Sequence, residues 1–135
     1  MATEQQVTIA RLGGGNLRLS KALSLTMVAG ATVTDSSFNP PIGSIITGIR
    51  FNVTASFTGA PTNINLTVGK TAGASEYVAA VDIKTAAAPA NATLVAIADY
   101  ANWPAAQAFF VTLTGVGGSG AGTANVYIDY VAPNF

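Results

Sequence analysis

Ser44–Phe57 reads SIITGIRFNVTASF, and its side chains alternate. Ile45, Thr47, Ile49, Phe51, Val53 and Ala55 take one parity; Ile46, Gly48, Arg50, Asn52, Thr54 and Ser56 take the other. A period of two marks a half-buried strand, because successive side chains of an extended chain point to opposite faces. The odd parity is richer in large apolar groups, so it predicts a core face carrying Ile45, Ile49, Phe51 and Val53. Arg50 and Asn52 then face solvent or a partner.

The same period recurs along the chain. Leu17, Leu19, Leu23, Leu25 and Met27 alternate with Arg18, Ser20, Ser24 and Thr26; Ile64, Leu66 and Val68 with Asn65 and Thr67; Phe109, Val111 and Leu113 with Thr112 and Thr114. Val126, Ile128 and Tyr130 alternate with Tyr127, Asp129 and Val131, so that strand carries bulk on both faces. No stretch keeps a helical period with caps at both ends. Eight strands are predicted: Gln6–Arg11, Leu17–Met27, Ile45–Ser56, Asn63–Gly69, Tyr77–Ile83, Thr93–Ala98, Ala108–Gly115 and Thr123–Val131. Gly- and Pro-rich turns separate them: GGG at Gly13–Gly15, NPPIG at Asn39–Gly43, TGAPTN at Thr58–Asn63, APAN at Ala88–Asn91 and GVGGSGAG at Gly115–Gly122.

Eight short antiparallel strands in one domain predict an all-β, two-sheet antiparallel β-sandwich of jelly-roll type. An immunoglobulin-like sandwich is the alternative, but the chain lacks the Cys, Trp, Cys hallmark of that fold. Residues 1–15 form an N-terminal arm ending in three glycines, and residues 16–135 form the sandwich. Val28–Gly43 is a long connection, which suggests a functional loop or one packed on a partner.

Composition narrows the function. Six basic and six acidic residues cancel among 135, leaving no net charge to draw in nucleic acid or an anionic bilayer. No apolar run approaches the ~20 residues of a membrane helix. RLSKALSLTMVAGA, Arg18–Ala31, superficially resembles a secretory leader, but its basic residues sit inside the strand pattern. Charged residues make up 9% of the chain against about 25% in ordinary soluble proteins. A surface so poor in charge favours association, so apolar area is expected to be buried against partners.

Chemistry has little material. With no Cys and no His the common nucleophiles and general bases are missing. Asp82 and Asp129 lie in separate strands, where solvation or pairing is the plain reading and a paired-carboxylate site the remote one. The six acids are scattered, so no metal is expected and no cofactor is implied. GKT, Gly69–Thr71, lacks the upstream glycine and following helix of a phosphate loop, and GVGGSGAG reads as a hairpin loop. DYANWPAAQAFF, Asp99–Phe110, holds the only tryptophan. Trp103 with Tyr100 suits either a core or interface aromatic cluster or a stacking platform for a sugar.

The run PPIGSIITGIRFNVTASFTGAPTNINLTVGKTAGASEYVAAVDIKTA, Pro40–Ala86, resembles a segment of small β-sandwich virion proteins of tailed bacteriophages. The likeness covers a Pro/Gly turn, an I-x-x-I/V-x-F-x-V-T strand, an L-T-V-G strand and Y-V-A-A-V-D-I-K-T. It implies a turn at Gly43, a strand end at Gly69, a packing aromatic at Tyr77 and a loop-anchoring carboxylate at Asp82. That family includes head decoration or cement proteins and parts of tail fibres. The resemblance implies virion architecture more firmly than a position on the virion. With the charge-poor composition and the missing His and Cys, the expected reading is a non-enzymatic structural protein on the outer surface of the capsid, bound to the major capsid protein and to itself, as a trimer because outer-shell lattices offer threefold positions. Partner contacts are expected from the arm (Gln5, Gln6, Arg11), the long connection (Phe38, Pro40, Pro41) and the aromatic pair (Tyr100, Trp103). The alternative is a tail-fibre or receptor-binding module that recognises a host glycan through Tyr100 and Trp103.

Overall fold

A computed structural model describes residues 17–85 and 89–133. Its strands are β1 (Leu17–Gly30), β2 (Thr32–Asp35), β3 (Ile45–Gly59), β4 (Asn63–Gly69), β5 (Val78–Asp82), β6 (Ala90–Asn91), β7 (Phe110–Val116) and β8 (Gly120–Ala132), with one 3₁₀ turn at Ala98–Ala101. They form two four-stranded sheets, ordered β1-β8-β3-β6 and β2-β7-β4-β5.

The pairing is nested and antiparallel throughout. β1 lies on β8, β2 on β7, β3 on β6 and β4 on β5, so the first half of the chain runs back along the second as one long ribbon. Wrapping that ribbon brings β3 against the far side of β8 and β4 against the far side of β7, which completes the sheets. This is the jelly roll expected from the sequence.

Between the sheets lie Leu23, Leu25 and Met27 of β1, Ile49 and Phe51 of β3, Ile64, Leu66 and Val68 of β4, Val111 and Leu113 of β7, and Val126 and Ile128 of β8, all buried. Each such side chain contributes about 1.5–3 kcal/mol of hydrophobic stabilisation. Alternation works best in β1, whose register with β8 is unbroken from Leu17↔Ala132 to Met27↔Gly122.

β3 departs from the expectation at its start. Its ladder with β8 shifts between Ile46 and Gly48, and a bulge of one residue exchanges the two faces on its N-terminal side. Ile46 is therefore in the core at 5% exposure, while Ile45, predicted to be inside, is 40% exposed. Ile49, Phe51 and Val53 keep the predicted face.

Three other expectations are corrected. Thr93–Ala98 alternates like a strand but is not one: the Ala92 N–H donates to Ile49 O beside one sheet, and the Val95 N–H donates to Tyr77 O beside the other. A segment stretched between two sheet edges cannot follow either ladder. Val28–Gly43 is not strand-free, because Thr32–Asp35 pairs with β7. GVGGSGAG is not a hairpin loop, since β7 and β8 belong to different sheets and the glycines turn the corner between them. Gln6–Arg11 lies outside the described residues.

Gly59 shows what closes that corner. Its φ is +104°, and a Cβ would stand 2.7 Å from the Ser119 carbonyl oxygen, so only glycine fits.

Candidate functional site

Two ends of the sandwich result, and they differ in chemistry. At one end stand the β3–β4 connection, Ser119 and the glycines before and within β8. At the other stand the start of β1, the β2–β3 loop, residues 98–109 and the end of β8.

This second end is built on an aromatic cluster. Trp103 stacks on Phe109 at 4.4 Å between ring centroids, and Tyr77 meets both rings at 5.2 Å. Phe38 extends the cluster to Tyr130 at 5.2 Å, and Tyr100 extends it from Tyr77 at 5.9 Å. Aromatic pairs at such spacings add about 0.5–1.5 kcal/mol beyond their buried area. Burial, then the Asp99 and Glu76 carboxylates, push the Tyr77 phenol above its usual range; burial and Asp99 push Tyr100 up to about 12. Both rings are therefore neutral packing groups at physiological pH.

Backbone bonds fasten the loops over the cluster. The Gly43 N–H donates to Trp103 O and the Trp103 N–H donates to Ser44 O, each at 2.9 Å; the Phe109 N–H donates to Phe38 O at 2.9 Å. The Trp103 Nε1–H donates to Gln107 O at 2.8 Å, and the Tyr100 hydroxyl donates to Tyr77 O at 2.9 Å. Gly43 makes its turn at φ +84°.

The residues expected to meet a partner are thus divided by burial. Phe38 and Pro40 are buried, Trp103 is fully buried and Tyr100 is half-buried. Trp103 is a core aromatic and presents no ring face on which a sugar could stack. Pro41 is exposed beside Ile42, which is 60% exposed. Gln5, Gln6 and Arg11 lie outside the described residues. Sequence reasoning missed Ile42, Ile45 and Leu19. Ile42 carried a signal, an apolar residue inside a Pro/Gly loop; Ile45 was hidden by the bulge and Leu19 by its apparently core-facing parity.

Register sets these groups on both faces of the sheet: Val131 lies opposite Arg18 on one side and Ile45 on the other, all on the outer face, while Leu19 and Ile46 flank Tyr130 on the core-facing side. A shallow depression of about 400 Å³ opens here, lined by Arg18, Leu19, Ser20, Thr47, Asp129 and Tyr130. On the outer face of the same sheet, Arg50 Nε and Nη2 donate to the two Asp129 carboxylate oxygens at 2.8 and 2.9 Å, and Nη2 also reaches Ser20 Oγ at 3.2 Å. The guanidinium stands 4.9 Å from the Tyr127 ring centroid. This pairing holds the Asp129 carboxyl below its usual range.

The centre of the opposite sheet is covered by its own chain. The Gly73 N–H donates to Thr112 Oγ1 at 3.0 Å, and the Lys70 N–H donates to the Glu76 carboxylate at 2.8 Å. Thr112 and Thr67, which pair across β7 and β4, are consequently buried. Asp82 anchors the β5 end as its resemblance implied, accepting the Ile64 and Lys84 N–H groups at 3.1 and 3.0 Å.

Among the described residues no group of three His, Cys, Asp or Glu side chains is placed to hold a metal. The site offers shape and contact chemistry: a rigid aromatic floor, an apolar rim of Pro41, Ile42 and Ile45, and a polar outer face with one ion pair.

No family model and no curated protein matches the chain. Two solved structures resemble its fold. A chain in the cyanophage Pam1 capsid asymmetric unit superposes with a TM-score of 0.60 at 22% identity, covering 88% of this chain and 87% of that one. A chain in the capsid of Ralstonia phage GP4 superposes with a TM-score of 0.50 at 19% identity, covering 90% of this chain and 87% of that one. At these identities the likeness is one of fold.

Proposed function

We propose that this chain is a structural protein of a phage capsid, of the decoration or cement type, which binds the outer shell and bridges neighbouring major capsid subunits without enzymatic activity. One observation carries the reading: the jelly roll matches, over nearly its whole length, chains found in two phage capsids. The charge-poor composition and the apolar rim at the aromatic end support it, since both favour a surface covered in an assembly. Trp103, one of the two rings on which the glycan-binding alternative relies, is buried, which favours the decoration reading.

Stabilisation would follow from mass action. A protein that binds assembled shell and not separate subunits lowers the free energy of the shell. Pro41, Ile42 and Ile45 supply the apolar contact, and self-association into trimers supplies several such rims to one site. A standard interface buries about 1,600 Å² in total, counting both partners.

Purified protein added to undecorated heads is expected to bind them saturably and to raise their disruption temperature. Heads that neither retain the protein nor gain thermal resistance at saturating concentration would refute the decoration role.

A further inference from the structure

After β4 the chain folds back over its own sheet, and Tyr77 then returns it to the core. Residues 70–76 bury no apolar side chain in doing so: Ala74 is half-buried and every other residue of the segment is exposed. Yet Thr67 and Thr112 beneath it, on the outer face of β4 and β7, are 8% and 0% exposed. A polar sheet face is thus sealed by a strap with no hydrophobic anchor of its own. Within the strap the Ala74 N–H donates to Thr71 O at 3.1 Å and the Lys70 N–H to Glu76 Oε1 at 2.8 Å, which makes it one compact unit. Among the described residues two polar side-chain contacts tie it to the body: the Gly73 N–H donates to Thr112 Oγ1 at 3.0 Å, and Lys70 Nζ lies 3.4 Å from Asp99 Oδ2. The second is a partly exposed ion pair, a kind that contributes little and weakens with salt.

We propose that residues 70–76 form a lid that lifts as a unit from β4 and β7 while the sandwich stays folded, baring the face that carries Thr67 and Thr112. Segments with exposed side chains and few buried apolar contacts lie at the low end of local stability. Lifting breaks the Gly73–Thr112 bond and the Lys70–Asp99 pair but withdraws no apolar group from the core, so the core need not follow. The ends of the lid are fixed by Gly69 in the β4–β7 ladder and by the fully buried Tyr77, whose N–H donates to Val68 O at 2.9 Å. Gly69 is also the seat. A Cβ there would stand 2.5 Å from the Ala74 carbonyl carbon and oxygen and from Glu76 Oε1. Its φ lies outside the left-handed region, so the closed lid requires this glycine and its own backbone does not. Asp99, the latch partner, belongs to the 3₁₀ turn that carries Tyr100, which ties the closed lid to the aromatic end.

The chain has no cysteine, so a single thiol can report on the covered face in the full-length protein. Thr67 suits the purpose, because its hydroxyl has no hydrogen-bond partner to lose among the described residues. In T67C, alkylation by iodoacetamide is expected to proceed in native buffer at a rate nearly independent of low urea, since lifting the lid exposes little surface. G69A/T67C is expected to react at least about tenfold faster while keeping a native near-ultraviolet circular dichroism spectrum. Alkylation of T67C with the full urea dependence of global unfolding would overturn the proposal, as would a folded G69A/T67C that reacts no faster than T67C. Should G69A/T67C fail to fold, E76A/T67C carries the test: losing the Lys70 N–H acceptor is expected to speed alkylation several-fold, and an unchanged rate would overturn the lid. The experiment needs no heads, so its outcome is independent of the capsid reading.

Discussion

The two ends of the sandwich are closed by opposite means. At one, Trp103, Phe109, Tyr77 and Phe38 fill the space under the loops, and the loops carry Pro41 and Ile42 outwards. At the other, backbone packs on backbone: a Cβ on Gly59 would meet the Ser119 carbonyl at 2.7 Å, and one on Gly120 would meet the Thr58 carbonyl at 2.9 Å. Bulk beneath a loop holds it rigid while leaving its tip free to carry contact residues. Close backbone approach spends the loop residues on closure. The proposed decoration role therefore assigns shell contact to the aromatic end, whereas the glycine end completes the fold.

The largest test of that contrast is Trp103→Ala. Removing the largest of the fully buried rings should cost about 3–5 kcal/mol and lower the thermal midpoint by roughly 10–20 °C, as read by calorimetry; a shift of a degree or two would mean that the aromatic floor carries little. Next comes Gly59→Ala, expected to cost about 1–3 kcal/mol through its clash and its positive φ. Gly73 supplies the control, because its φ is +77° but a Cβ there meets nothing within 4 Å. Gly73→Ala should cost about 1–2 kcal/mol, from φ alone, and less than Gly59→Ala, so equal losses at the two glycines in denaturant titration would argue against closure by proximity.

A smaller effect belongs to the outer face. The Arg50 hydrogen bonds lower the Asp129 pKa in the folded state. A depressed carboxyl contributes stability above its unfolded pKa, near 3.9, and loses it as pH falls through the folded value. The wild type should therefore lose thermal midpoint faster than Asp129→Asn as pH drops below about 4; parallel curves would show that the pair contributes nothing. The smallest change in stability is expected for Ile42→Ser, within about 0.5 kcal/mol because the side chain is already mostly exposed. Its effect should appear in binding, as a several-fold weaker attachment to undecorated heads in a sedimentation assay. Unchanged attachment would move the contact away from this rim.

Much of the architecture was legible wherever a strand had one buried face. β1, β4 and β7 follow their alternation because each lies regularly in a sheet with one side on the core. Period alone was misleading at Ile45 and at Thr93–Ala98, where parity depends on bulges and on which sheet edge a segment must reach. β2 was illegible for another reason: four residues are too few to show a period, and only its pairing with β7 makes them a strand.

The candidate site divides along the same line. Local sequence determined an all-β chain without the groups for common catalysis, with turns at most of its Gly/Pro clusters and a composition poor in charge, because these depend on residue type and on neighbours two positions away. Tertiary structure alone decided that Trp103 and Phe38 are floor and that Ile42, Ile45 and Leu19 are exposed. Burial is a property of what folds over a residue. For these residues the covering or uncovering elements come from distant parts of the chain, brought together only when the ribbon rolls up.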